Sequence, residues 1–214
     1  TDPYFSRKNT QVLKLPGVII PVMPKRKRLN EKDLSKRYDR AAWIAEALNV
    51  LSQQGSAKLT VRNISDRLGV TTGSFYWHFK NRDDFVNAIL EYWQLVFTDA
   101  VANEIGSISD EPHLQLYKLM EILTEQEIPR FNIAVRAWAA MDEKVAKVVR
   151  STDTTQLEFV GHLFRRIGFE GVELEMRTRT FVVFMSAELG WSYDLSKEER
   201  LEAMKLRYEW FISR

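Results

Sequence analysis

The 214-residue chain has no cysteine, which excludes disulfides, thiolate zinc sites and cysteine nucleophiles and fits a reducing cytoplasm. It has no run of 18 apolar residues, so no segment is expected to span a membrane. The apolar piece Gly17-Val18-Ile19-Ile20, closed in by Pro16 and Pro21, is too short for a signal-peptide core. Strand-like alternation of any length is missing, as are internal repeats. No nucleophile–base pair, phosphate-binding glycine loop or metal-ligand spacing is present, so no enzymatic activity, metal or cofactor is expected. His78, without a partner at ligand spacing, is no metal or catalytic candidate.

What the chain does have is core material: 45% of its residues are hydrophobic and 12% aromatic, enough for one large domain or two smaller ones. Its net charge of +2 hides an asymmetry. Residues 1–82 carry 16 Lys+Arg against 6 Asp+Glu, whereas residues 83–214 carry 15 against 23. A basic amino-terminal part joined to an acidic remainder suits one part resting on phosphates while the other stays in solution.

Residues 1–37 contain Pro3, Pro16, Pro21 and Pro24, show no helical period and include Lys25-Arg26-Lys27-Arg28. They read as an arm, whose basic run serves either phosphate or minor-groove contact or only solvation. From 40 to 54, Ala41, Ile44, Ala45, Leu48 and Leu51 form a helical stripe closed by Gly55. The stretch 58–85 holds two short amphipathic segments around Leu68-Gly69-Val70. Val61, Ile64 and Leu68 recur at helical spacing behind a capping Thr60, and Gly69 suits a left-handed cap. Thr71 can cap a second segment in which Phe75 and Phe79 point one way, while Thr72, Ser74, Tyr76 and His78 spread over other faces. This is the pattern of a helix-turn-helix. Its few apolar residues require the 40–54 stripe as a third helix.

Leu68-Gly69-Val70, Phe75-Tyr76-Trp77-His78-Phe79-Lys80-Asn81 and Asp83-Asp84-Phe85 together resemble the DNA-binding domain of tetracycline-repressor-type (TetR) regulators. The resemblance runs from Tyr38 to Trp93. It implies contacts to bases or phosphates from Thr71, Thr72, Ser74, Tyr76 and His78, backbone contacts from Lys80 and Arg82 together with Tyr76, and a close approach of backbone at Gly73. Trp77 suits either a groove contact or a core anchor. Residues 71–78 lack Arg and Gln, the bidentate readers of guanine and adenine. Specificity is therefore expected from hydroxyls, the Tyr76 ring, His78, water or DNA shape, and to need two half-sites.

Further on, helices are expected over 83–104, 113–126, 129–141, from Asp142 to near Gly168, over 172–193 and over 196–213, with a loop at 106–112. Whether 151–155 interrupts the fourth of these is open. The expected fold is all-α: an arm (1–37), a three-helix helix-turn-helix domain (38–82) and a larger helical domain for effector binding and dimerisation (83–214). Phe181, Val182, Met185, Leu189 and Trp191, with Leu201, Met204, Tyr208 and Phe211, supply apolar surface for closing the monomer or pairing two copies. Following the resemblance, residues 172–213 would form a homodimer on a palindromic operator. Trp93, Phe97, Tyr117, Met120, Phe131, Trp138, Met141, Phe164 and Phe184 are candidates either for plain core or for the lining of a small hydrophobic effector's pocket. Arg136, Glu158, His162 and Glu188 would be its polar reporters. The implied function is a cytoplasmic, nucleoid-associated regulator, a repressor released by its effector. The alternative is a DNA-associated module that recruits another protein, which would leave the core of residues 110–195 closed and filled.

Overall fold

The computed structural model describes residues 39–125, 129–187 and 195–213. The arm expected over 1–37 lies outside them, as do Glu188, Leu189 and Trp191. Among the described residues all regular structure is helical.

Helix α1, Arg40–Gln54, starts where the Asp39 carboxylate accepts from the Ala42 amide at 3.0 Å. Helix α2, Val61–Leu68, starts at Thr60, whose hydroxyl accepts from the Asn63 amide at 3.2 Å. It ends at Gly69, whose φ of 73° is the left-handed conformation glycine adopts without steric cost. The Gly69 and Val70 amides then bond the Asp66 and Ser65 carbonyls, closing the helix with a Schellman motif.

The second segment of the motif is a 3-10 helix, Thr72–Trp77, and not the α-helix its spacing suggested. Its amides bond three residues back, Ser74 to Thr71 at 3.0 Å and His78 to Phe75 at 3.0 Å. Gly73, β-branched Thr72 and three consecutive aromatics are all weak α-formers, which favours the tighter turn. Thr71 makes no side-chain cap; its hydroxyl pairs instead with that of Ser74 at 3.1 Å.

Helix α3, Arg82–Leu95, is capped by Asn81, which accepts from the Asp84 amide at 2.9 Å. It continues without a break through a π-turn, Val96–Ala100, into α4, Val101–Ile108. The helix expected over 83–104 is thus longer, and the loop expected at 106–112 shrinks to 109–111. Helices α5, Pro112–Glu125, and α6, Pro129–Ala139, follow. Helix α7, Glu143–Ile167, runs uninterrupted from its Asp142 cap to Gly168. Within 151–155 the Thr152, Thr154 and Thr155 hydroxyls turn back onto the carbonyls of Val148, Arg150 and Ser151, so the polar run stays helical. Helix α8 spans Gly171–Ala187, and α9, Lys197–Ile212, opens with a capping box between Ser196 and Glu199.

The amino-terminal unit packs around rings. Trp43 is fully buried and meets Phe75 edge-on at 5.6 Å, and Phe75 meets Phe79 and Phe85 at 5.2 and 5.3 Å. The 40–54 stripe omitted Trp43, the core residue, and included Ala41, which is exposed. Six consecutive residues of α1, 43–48, are buried, as happens when a helix is covered on every side. One side meets α2 and α3, and another meets α6 of the larger unit. Glu46, buried in this helix, pairs with the Arg67 guanidinium of α2, and Arg67 also reaches Gln53.

In the larger unit α7 packs against α5, α6 and α8, and α5 against α9. The Phe164 ring sits at its centre against Phe169, Phe181 and Phe211.

Two outcomes follow from these contacts. Arg67→Met strands a buried carboxylate and should lower stability by about 3 kcal/mol, while the double variant Glu46→Leu/Arg67→Met should recover most of it, both read from urea midpoints. Asp84 is held below the usual carboxylate range, chiefly by the Lys80 amide that donates to it, with the Arg40 guanidinium assisting against partial desolvation. Its contribution is complete above the ordinary Asp pKa and is lost as pH falls through the lowered one. Asp84→Asn should therefore flatten the acid limb of a stability–pH curve below about pH 4.

Candidate functional site

The outward surface of the helix-turn-helix is made by alternation within the 3-10 segment. Phe75 and Phe79 point inward and are 1% and 2% exposed, whereas Tyr76 and Trp77 stand out at 68% and 87%. Trp77 is therefore a surface group and not an anchor. Thr71, Thr72 and Gly73 are exposed beside them, Ser74 is half-buried, and Lys80 and Arg82 lie exposed at the far end. His78 is half-buried, its ring 6.5 Å from Trp43 and its carbonyl accepting from Arg40 at 2.9 Å. Arg40 also lies over the Phe79 ring at 4.7 Å and reaches Asp84 at 3.4 Å. One guanidinium thus ties α1 to the end of the segment and to the start of α3, a link the sequence pattern did not reveal.

This surface offers hydroxyls, a phenol, an indole and two cations in about three turns, the groups that hydrogen-bond and neutralise a nucleic-acid backbone and touch base edges. Described residues 39–82 hold only 6 Lys+Arg against 3 Asp+Glu, so most of the amino-terminal positive excess belongs to residues 1–38.

A second feature is a cavity of about 140 Å³ inside the larger unit. Its walls are Phe97, Thr98, Val101 and Ala102 from the π-turn and α4, Leu119 and Leu123 from α5, Thr155, Gln156, Phe159 and Val160 from α7, and Phe181, Val182, Met185 and Ser186 from α8. No charged side chain is among them. Of the aromatic candidates from the sequence, only Phe97 lines it. Trp93, Trp138 and Phe164 are buried packing residues, as is Met120. Tyr117 stacks edge-on against Tyr208 at 5.2 Å, and Phe131 is half-buried against the core. Met141 is 86% exposed in the turn after α6, and Phe184 lies at the surface beneath Arg207. The polar reporters fare no better: Arg136 is engaged with Asp153 and Asn132, and Glu158 and His162 are exposed. Large rings were sought, but the walls are mainly mid-sized aliphatic and hydroxyl residues, which carry no distinct signal in a helical stripe.

The cavity is joined to the amino-terminal unit by two routes. The π-turn continues α3, and the carbonyl of Ser186 accepts from fully buried Asn132 at 3.3 Å on α6, the helix that packs on α1.

Residues 44–89 match the sequence profile of bacterial regulatory proteins of the tetR family. The tetracycline repressor protein class C of Escherichia coli is 40% identical over 55 residues, 26% of this chain and 25% of that one. The HTH-type transcriptional regulator AcrR of Shigella flexneri is 35% identical over 77 residues, 36% of this chain and 34% of that one. The matches thus span only about a quarter to a third of these relatives. In overall fold the chain is similar to a TetR-family transcriptional regulator from Streptomyces coelicolor (TM-score 0.66, 15% identity, 87% of this chain and 96% of that one). A TetR transcription regulator from Haloarcula marismortui is likewise similar (TM-score 0.61, 20% identity, 85% and 97%). Residues 44–89 thus carry the sequence signature of the tetR family of bacterial regulatory proteins, and the described chain has a fold similar to that of solved regulators of that family.

Proposed function

We propose that the protein is a homodimeric, DNA-binding transcriptional repressor, released from a palindromic operator when a small hydrophobic effector enters the helical domain. The observation that carries this reading is the side-by-side exposure of Tyr76 and Trp77 over buried Phe75 and Phe79, with Lys80 and Arg82 beside them. Large aromatic side chains at that level of exposure need a partner surface, and cations at the margin of this one favour phosphates. Docking in a major groove puts Thr72, Tyr76 and Trp77 toward base edges and methyl groups and leaves Lys80 and Arg82 on the backbone.

Pairing of two copies is supported by α8 and α9, though not through the residues their stripes suggested. Phe181, Val182, Met185, Met204 and Phe211 are buried within the monomer, and Leu201 and Tyr208 are partly so. The same two helices instead leave Val172, Met176, Val183, Leu206 and Trp210 exposed, from 58% to 77%. A two-fold contact through them would set two recognition segments on successive half-sites. The cavity supports the effector over the alternative of a recruiting module, which called for a filled core.

Three results are expected. Duplexes selected from a randomised pool should bind with an affinity that falls steeply with salt. In Lys80→Ala/Arg82→Ala the slope of log K against log [salt] should drop by about 2 for each protomer engaged. Tyr76→Ala should weaken the selected duplex by about 1–3 kcal/mol while leaving random DNA nearly unaffected, as read by fluorescence anisotropy. In sedimentation equilibrium the unaltered chain should be a dimer, and Val183→Glu/Trp210→Glu a monomer with unchanged helical circular dichroism. A folded protein that ignores duplex DNA at low salt would end this proposal.

A further inference from the structure

In a regular helix the Phe97 carbonyl would accept the Val101 amide four residues on. The π-turn breaks that pairing: the Val101 amide goes to the Thr98 carbonyl, and Gln156 of α7 supplies Phe97 instead, Nε2 to O at 3.2 Å. A carbonyl accepts only from the NH2 end of an amide, so Oε1 is the other end. Oε1 is buried and has no partner among the described residues. Gln156 is thus half-satisfied, donating to a bent turn with its acceptor shut inside the cavity wall.

The surroundings give Oε1 nothing better. The Thr98 hydroxyl already donates to the Gln94 carbonyl at 2.9 Å and that of Thr155 to Ser151 at 3.3 Å. Ser186 supplies the other wall hydroxyl, and much of the remaining wall is aliphatic or phenyl. The volume, about 140 Å³, is close to that of apolar cavities that accommodate a benzene-sized molecule.

We infer that the cavity selects a neutral single-ring molecule bearing one hydrogen-bond donor, phenol-like in chemistry, and that Gln156 is its sensor. To accept that donor the side chain must turn, bringing Oε1 into the cavity and withdrawing Nε2 from Phe97. The Phe97 carbonyl can then take the Val101 amide, and the turn closes in α register. Since α3 leads from this turn into the helix-turn-helix, the ligand's donor is read as a change in the helix that carries it. The inference rests on the cavity being the effector site and specifies what that site takes and how it responds.

The test titrates the full chain with phenol, toluene, which matches it in shape, and the slightly larger anisole; of the three only phenol donates. Calorimetry should show phenol binding three- to tenfold more tightly than the other two, and Gln156→Leu should erase the preference. Amide resonances of residues 97–102 should move with phenol toward their positions in unliganded Gln156→Leu, which lacks the anchor, and stay in place with toluene. Equal binding of all three, or equal shifts with toluene, overturns the role of Gln156 while leaving a hydrophobic effector site intact. If none of the three binds, the effector site itself is lost and this inference with it. Should the Leu variant fail to fold, the ranking of the three ligands on the unaltered chain still decides.

Discussion

The 3-10 segment Thr72–Trp77 has hydrogen bonds too few and too bent to hold itself, and runs of that length rarely persist alone. What holds it is the stack of Trp43, Phe75, Phe79 and Phe85, with ring centroids 4.6 to 6.5 Å apart. Burying rings of this size is worth several kcal/mol, far more than the segment's own bonds contribute. Everything outward depends on that. Tyr76 and Trp77 can face solvent because their neighbours on either side are pinned, and Arg40 fixes the end of the segment through one carbonyl, one ring and one carboxylate.

The parts of this architecture that were legible in the sequence are those set by local chemistry. Thr60 and Gly69 each act through their own few residues and cap or end a helix as read, and Asn81, Asp142 and the Ser196–Glu199 box start theirs by the same local chemistry. The inward role of Phe75 and Phe79 was legible for the same reason. Features that depend on a distant partner were not. The side of α1 that buries Trp43 is set by two separate units, so no single stripe describes it. The π-turn carries no periodic signal, and the glutamine that donates to its Phe97 carbonyl lies nearly 60 residues away. Nor could the sequence divide the apolar residues of α8 and α9 into those that close the monomer and those left outside.

The cavity and the outward surface lie in different units, and the structure connects them by continuous packed elements. One is the helical run from Arg82 to Ile108, interrupted only by the π-turn, whose Phe97 and Thr98 line the cavity. The other is α6, bonded through Asn132 to the wall residue Ser186 and packed on α1. Helices transmit rotation and translation over their length because their backbone bonds resist shear, so a change of register at one end is delivered to the other. A π-turn is a suitable place for such a change, being one residue out of step with the helices it joins.

The burial of residues 43–48 on every side of α1 also limits how the protein can be altered. A helix covered on all sides is shared by two units, and neither can be cut away without exposing apolar surface. Grafting residues 39–95 onto an unrelated helical domain would strip α1 of α6 and leave a greasy stripe where the two met. New sequence preference is therefore better introduced inside residues 71–82, where the outward side chains touch little of the fold and the rings beneath them can stay. The same sharing makes the boundary between the units a place where drift in one must be answered in the other.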